Sequence, residues 1–166
     1  MQAARAVPFL IRDGAIVAAT LALWSLLPSP GLALNIITGL MTVVAGYLAH
    51  EWGHLIGCWI RGSHVKMPER VTSVFLFNFD VGRNSREQFN AMAMGGFVAS
   101  FVFVVLLAAL VPLHTLAGKI AMILTVIGVI ATFILEVPTA WRVFRGAPLP
   151  QQGPAFVSNS EPVAKS

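Results

Sequence analysis

Long apolar runs alternate with short polar connections along the chain. The apolar runs cover Gly14 to Ala33 (with Pro28-Ser29-Pro30 inside it), Asn35 to Ile60, Phe89 to Val111 and Gly118 to Val137. A helix needs about 20 mostly apolar residues to cross the hydrocarbon core of a bilayer. The pattern therefore predicts an all-α membrane protein with about four transmembrane helices.

The first apolar run allows a second interpretation. Arg5 and Arg12 precede it and the small residues Gly31-Leu32-Ala33 end it, an order that also occurs in cleaved signal peptides. Cleavage would leave the basic loops described below on the wrong side of the membrane. We therefore favour a retained first span.

The connection between the second and third spans contains one segment with a different pattern. Residues Val71 to Phe79 (VTSVFLFNF) are rich in β-branched and aromatic side chains and are too few to cross a membrane as a helix. They predict a short β segment, either a strand or a small hairpin, in this loop. A strand beside a membrane helix needs a partner for its edge, because unpaired backbone groups are costly near lipid.

Composition agrees with a membrane protein. The 166 residues are 57% hydrophobic and 11% charged, and the mean hydropathy is +0.78. We expect one transmembrane domain, residues 1–146, followed by a disordered cytoplasmic tail, residues 147–166, which is rich in Pro, Gln, Ser and Gly. The isoelectric point is high, but the basic residues form no aromatic-interleaved patch, so we expect no nucleic-acid partner.

The basic residues predict the orientation in the membrane. Five of the eleven lie between the second and third spans, whereas the connection from Pro28 to Leu34 has none. By the positive-inside rule the basic loop is cytoplasmic, and of the remaining basic residues only Lys119 then falls on the opposite side. We therefore expect a multi-pass protein of a bacterial cytoplasmic membrane, surrounded by the lipid bilayer, with both termini in the cytoplasm.

Two carboxylates, Glu51 and Glu136, fall inside predicted spans. A charged side chain at the centre of a membrane helix costs about 2.5–3.5 kcal/mol on insertion scales and is usually retained for function. The other acidic residues fall in predicted loops or tails: Asp13, Glu69, Asp80, Glu87 and Glu161.

Glu51 belongs to the sequence His50-Glu51-Trp52-Gly53-His54. Positions four apart lie about 5–6 Å apart on one helix face, so His50 and His54 can bind one metal ion. Neutral imidazole binds Zn²⁺ at about 2.0–2.1 Å. Glu51 is offset around the helix and can act as a base toward water at the metal. The motif predicts a zinc ion bound by His50 and His54, with Glu51 as the catalytic residue.

A catalytic zinc usually has a third protein ligand and leaves its fourth position to water. His54 lies seven residues before Arg61, and Glu136 lies six before Arg142, which places both about 9–11 Å inside the cytoplasmic boundary. We therefore favour Glu136 as the third ligand. Asp80 is the alternative, since a re-entrant loop can carry it inward.

These residues resemble the site-2 protease family of intramembrane zinc metalloproteases, over roughly Leu34 to Arg142. In that family the zinc-binding helix precedes a short β segment, then a helix that opens with Gly-Pro and a nearby Asn, then a helix with an aspartate ligand in a Leu-Asp-Gly context. The similar segments here are Leu76 to Phe79, Ala93 to Phe97, and Leu135-Glu136.

The chain departs from the family pattern at three positions. Gly96 stands in place of the proline, Ala99 or Ser100 in place of the asparagine, and Glu136 in place of the aspartate. Glutamate is a zinc ligand in other His-Glu-x-x-His enzymes, so this replacement is compatible with catalysis.

The resemblance implies an enzyme, a zinc metalloendopeptidase that cleaves a transmembrane protein substrate near the cytoplasmic face. The β segment would then pair with the unwound substrate. Two other classes remain open. A non-catalytic metal- or haem-binding membrane protein derived from the same fold would not need Glu51. A small proton-coupled transporter would use Glu51 and Glu136 as proton carriers and would bind no zinc.

Overall fold

The computed structural model describes residues 2–26, 31–150 and 156–157 of the chain. Four helices dominate these residues: α1 (Gln2–Ser25), α2 (Leu32–Ile60), α3 (Arg86–Leu110) and α4 (Leu116–Phe144). Each is long and apolar enough to cross a membrane. The predicted all-α architecture with four membrane-spanning helices is confirmed, and the chain is a multi-pass membrane protein.

Helix α2 lies at the centre of the bundle and packs against each of the other three helices. Its closest approach is to α3, where glycines face each other. A Cβ atom added to Gly57 would collide with the carbonyl oxygen of Ala91, and one added to Gly95 would collide with that of Gly53. Small residues allow membrane helices to pack backbone against backbone. This contact fixes the distance between α2 and α3.

Helix α1 differs from the predicted first span. It begins at Gln2 rather than near Gly14, so Arg12 and Asp13, which were predicted to lie outside the span, are part of the helix. Asp13 is buried, and its carboxylate accepts hydrogen bonds from the Arg12 guanidinium at 2.6 Å and from the Trp52 indole at 2.8 Å. Because these partners satisfy the charge, it is tolerated at a position that the sequence pattern treated as a boundary.

The C-terminal end of the predicted first span also differs in the structure. Gly31 is the N-cap of α2, and α2 itself begins at Leu32, so the small residues at the end of the first apolar run belong to the second helix. The Pro28-Ser29-Pro30 segment that was included in the first span lies outside the described residues.

Helix α4 is longer than the predicted fourth span. It continues through Pro138 to Phe144, whereas the prediction placed its end at Val137. Proline has no N–H and therefore removes one helical hydrogen bond. If the helix ended there, the following backbone groups would lose their helical partners, and a bilayer offers no water to replace them. The helix therefore continues. The other end of α4 is capped, because the Thr115 hydroxyl accepts from the Gly118 N–H at 3.0 Å.

The connection between α2 and α3 contains two short strands. β1 (Val65–Lys66) pairs antiparallel with β2 (Asn78–Asp80), and β3 (Phe156–Val157) pairs parallel with the other edge of β2. The predicted β segment from Val71 to Phe79 is therefore strand only from Asn78 onward. Its earlier part is irregular.

This irregular part, residues 71–77, is called the 71–77 loop below, and it is attached to two membrane helices. Arg12 on α1 donates to the carbonyl oxygens of Val71 and Ser73, and the Tyr47 hydroxyl on α2 donates to that of Val74 at 2.8 Å. Tyr47 lies about 20 Å along the helix from the end of α2. The loop thus contacts α2 well before the end of that helix, which is long and apolar enough to cross a membrane. Irregular backbone at that depth must find partners within the protein, which these side chains provide.

The predicted disordered tail, residues 147–166, falls mostly on residues 151–155 and 158–166, which lie outside the described part of the chain. Residues 147–150 follow α4 without regular secondary structure, and the pair 156–157 forms β3. The prediction of disorder therefore stays a prediction.

Candidate metal centre

Helices α2 and α4 bring together the three side chains predicted as metal ligands. The His50 Nε2 atom lies 3.3 Å from Glu136 Oε1, and the His54 Nε2 atom lies 3.4 Å from Glu136 Oε2. The two Nε2 atoms are 2.9 Å apart. Among the described residues, these three side chains form a group that can hold a metal ion. Asp80, the alternative third ligand, is not part of this group; its Oδ1 accepts from the Gly82 N–H at 3.1 Å.

The outer nitrogens of both imidazoles face backbone carbonyl groups of α3. His50 Nδ1 lies 3.1 Å from the carbonyl oxygen of Gly96, and His54 Nδ1 lies 2.8 Å from that of Met92. A carbonyl oxygen only accepts, so in each ring Nδ1 carries the proton. In a neutral ring Nε2 is then left with a free lone pair, which is the form that binds a metal.

Three electron-pair donors therefore converge on one point. Two Nε2 lone pairs and a carboxylate repel each other at 2.9–3.4 Å unless a proton or a metal cation lies among them. Around a tetrahedral zinc with ligand distances of about 2.0–2.1 Å, neighbouring ligand atoms are about 3.3–3.4 Å apart. The two distances between an imidazole and the carboxylate, 3.3 and 3.4 Å, match this geometry, whereas the 2.9 Å between the two Nε2 atoms is shorter. The donor set, two imidazoles and one carboxylate, is also one that zinc enzymes use.

Glu51 lies beside this group without being part of it. Its Oε2 atom accepts a hydrogen bond from the backbone N–H of Leu76, in the 71–77 loop, at 3.2 Å. Glu51, His54 and Glu136 line one cavity of about 430 Å³. The predicted catalytic carboxylate and two of the predicted ligands thus share one cavity.

The α2–α3 contact also determines the position of His54. A Cβ atom at Gly96 would lie against the imidazole ring, 2.5 Å from its Nε2 and 2.6 Å from its Nδ1. Only glycine leaves room for the ring at this point. Ser100, one turn further along α3, places its hydroxyl 2.9 Å from His50 Nδ1. Of the two residues named at the family's asparagine position, Ser100 is therefore the one that contacts the site.

A second, smaller cavity of about 90 Å³ lies against His50, between α2, α3 and α4. Several of its lining side chains are polar: Tyr47, His50, Ser100, Thr125 and Thr132. The Thr125 hydroxyl is buried and has no hydrogen-bond partner among the described residues. This cavity places several hydroxyl groups beside His50.

Sequence reasoning missed the main-chain groups of the site. The carbonyl groups of Met92 and Gly96 and the N–H of Leu76 are present in any sequence, so no residue type marks them. Ser100 and Gly96 carried a signal, since both lie where the chain departs from the family pattern. The contact of Asp13 with Trp52, a residue of the His50 to His54 motif, was also missed, because Asp13 was counted as a charge outside the first span.

Comparison of the chain with known protein families, with curated proteins and with solved structures gave no match.

Proposed function

We propose that the chain is a zinc-dependent intramembrane endopeptidase of the site-2 protease type, which hydrolyses a peptide bond in a membrane-spanning protein. One observation carries the proposal. His50, His54 and Glu136 offer three metal-binding atoms, all within 4.8 Å of one another, on two helices long enough to cross the membrane. Glu51, the carboxylate that we propose as the base, lines the same cavity as His54 and Glu136.

His50, His54 and Glu136 would hold the metal. Zinc held there would supply Lewis-acid chemistry, lowering the pKa of a water molecule and polarising the peptide carbonyl group. Glu51 accepts a proton from the attacking water and delivers it to the leaving nitrogen. The water oxygen becomes bonded to the carbonyl carbon, the C–N bond breaks, and the products are a carboxylate and an amine.

The 71–77 loop keeps Glu51 ready for this role. The Leu76 N–H donates to one oxygen of the Glu51 carboxylate, and the other oxygen would accept the proton from the water. In the proposed orientation the connection between α2 and α3 faces the cytoplasm, as the basic residues predict. Cleavage then takes place on the cytoplasmic side of the bilayer centre, and the natural location of the chain is a bacterial cytoplasmic membrane.

Metal analysis together with a Glu51→Gln variant tests the proposal. The purified protein should contain about one zinc per chain and should cleave a single-span peptide in phosphatidylcholine liposomes. Glu51→Gln should retain the zinc, because Glu51 is not a ligand, and should lose about 10²–10⁴-fold in cleavage rate, because general-base catalysis contributes that much. Glu69→Gln, at an exposed position in the connection between α2 and α3, is the matched control and should cleave the peptide at the wild-type rate.

The outcomes separate the classes of function. Zinc binding with no cleavage by the wild type indicates a non-catalytic metal protein. A chain that binds haem instead of zinc falls in the same class. A chain that binds no zinc under any condition is not a metalloprotease.

A proton-coupled transporter is a second candidate, and the small cavity beyond His50 favours it. His50 lines that cavity and Glu136 lines the larger one, so titratable groups of the site line both cavities. This function predicts proton flux into liposomes containing the purified protein, with no dependence on zinc. Proton flux that persists in the absence of metal and is lost in Glu51→Gln would favour transport over proteolysis.

A further inference from the structure

The cavity that contains Glu51, His54 and Glu136 has walls of two different kinds. The three titratable groups lie on the α2 and α4 sides. The rest of the wall is mainly apolar and includes three aromatic rings, of Phe75 and Phe77 from the 71–77 loop and of Phe89 from α3. Hydrolytic chemistry uses the first part of the wall, and the proposed mechanism gives no role to the second.

The apolar wall is a built surface. Phe77 and Phe89 are 6% and 3% exposed, so the core fixes their rings, and Phe89 packs edge to face against Phe79 with ring centroids 5.9 Å apart. Phe75 is only partly buried and completes the wall from the loop side. The cavity volume of about 430 Å³ falls in the range of sites that enclose small ligands, about 300–1,000 Å³. It can therefore enclose a large side chain together with the adjacent peptide bond.

We propose that this cavity is a specificity pocket, which takes a bulky apolar side chain, preferably aromatic, of the substrate residue next to the scissile bond. The proposal rests on the proposed function and adds the class of substrate residue. An unwound substrate segment brings its side chains and its backbone into the cavity together. Burying a phenyl ring against Phe75, Phe77 and Phe89 places the neighbouring carbonyl group at the polar end, where Glu51 and the metal ligands lie.

Phe75 and Ala140 determine the size of the pocket and are the residues to change. Phe75 forms the least buried aromatic wall, so its truncation removes pocket surface with the smallest loss of core packing. Ala140 on α4 lines the pocket with a methyl group, so a larger side chain there narrows the space. Neither residue contacts the metal ligands in the described hydrogen bonds and ion pairs.

A scanning peptide series tests the proposal. The zinc-loaded full chain is reconstituted in phosphatidylcholine liposomes with single-span peptides of a common alanine and leucine sequence. Each peptide carries one phenylalanine, which is moved one residue at a time along the cytoplasmic half of the span, and mass spectrometry locates the cleaved bond. The cleaved bond should follow the phenylalanine at a constant offset. A peptide without phenylalanine should be cleaved about tenfold more slowly or worse, since extra methylene groups in an apolar pocket discriminate by roughly 10–200-fold.

Both variants should reduce the preference for phenylalanine, Phe75→Ala by removing part of the pocket wall and Ala140→Leu by narrowing the pocket. Phe75→Ala should weaken the preference for phenylalanine, and Ala140→Leu should shift it toward alanine or leucine. Val74→Ala is the control on the same loop, because Val74 is 68% exposed and does not line the pocket. Ala131→Leu is the control on α4, at an exposed position. Both controls should keep the wild-type preference.

A cleaved bond that stays at one position whatever the place of the phenylalanine would overturn the specificity pocket and leave the proteolytic function standing. The same conclusion would follow if Phe75→Ala and Val74→Ala had equal effects on the preference. A zinc-loaded chain that cleaves no peptide of the series would instead remove the proteolytic function, and the pocket with it.

Discussion

Replacement of Gly96 by alanine should strongly weaken metal binding while the fold is retained. The added methyl group would point directly at the His54 imidazole, 2.5 Å from Nε2 and 2.6 Å from Nδ1. Non-bonded carbon atoms prefer separations of about 3.5–4.0 Å, so the ring must move by about 1 Å. The ring is the end of a flexible side chain, and it can move without a shift of the helix backbone.

The expected loss of zinc affinity is large because metal sites tolerate only small displacements of their ligands. Metal-ligand distances in proteins vary by only about 0.2 Å, several times less than the required ring movement. The displaced ring also loses its 2.8 Å hydrogen bond to the Met92 carbonyl group, which fixes the tautomer. Loss of such an outer contact alone lowers metal affinity or activity by about 10–100-fold. We expect Gly96→Ala to weaken zinc binding by at least that factor.

The assay is zinc content after dialysis against a series of chelator concentrations, measured with the thermal unfolding of the same samples in detergent. Gly128→Ala is the matched control, because a Cβ atom at Gly128 meets nothing within 4 Å. Both variants gain the same helix propensity, about 0.5–1 kcal/mol, from replacing glycine by alanine. Equal zinc affinity in the two variants would refute the argument that His54 depends on the space above Gly96.

Two further predictions concern buried polar groups in the membrane helices. Arg12→Gln leaves the Asp13 carboxylate and two loop carbonyl groups with fewer partners. It should lower the free energy of unfolding by about 2–3 kcal/mol. The loss is smaller than for a fully buried ion pair, because the Arg12 side chain is 22% exposed. The exposed Arg5→Gln is its control, and equal thermal unfolding of the two variants would contradict the role of Arg12. Thr125→Val removes an unpartnered buried hydroxyl and should raise the free energy of unfolding by about 1 kcal/mol. A decrease would instead mean that water in the small cavity binds this hydroxyl.

The existence of the four helices could be predicted from the sequence because each contains a long apolar run. Their ends could not. Arg12 and Asp13 were counted as charges outside the first span, but each satisfies the other inside α1. The fourth span was predicted to end at Val137, just before Pro138, but α4 continues to Phe144, because one lost hydrogen bond costs less than ending the helix in lipid. In both cases tertiary partners or the surrounding solvent outweigh the local signal.

The structure of the 71–77 loop was only partly predictable for the same reason. The β-branched and aromatic residues of the segment from Val71 to Phe79 indicated extended structure, which the structure limits to Asn78 and Phe79. The rest of that segment is shaped by side chains far away in the sequence, Arg12 on α1 and Tyr47 on α2, which bind its backbone. Local propensity contains no information about such contacts.

The grouping of the candidate ligands was more predictable than the loop. Helical spacing placed His50 and His54 on one face, and a depth argument from Arg61 and Arg142 placed Glu136 level with them. The structure has the three side chains in contact. The hydrogen-bond partners of the imidazoles could not be predicted, since they are carbonyl groups whose position depends on how closely α3 approaches α2.

The close approach of α3 to α2 connects the glycines of the helix interface with the chemistry of the site. Gly53, Gly57 and Gly95 have no side chains to hold the helices apart, so the backbone of α3 comes within hydrogen-bonding distance of side chains on α2. The carbonyl groups of α3 then lie at the Nδ1 atoms of both imidazoles and hold the proton there. A wider helix separation would free Nδ1 and let the proton move to Nε2, the atom that a metal needs. The small residues of α2 therefore act on the proposed metal centre through the tautomer of its histidines, although none of them touches the ligand atoms.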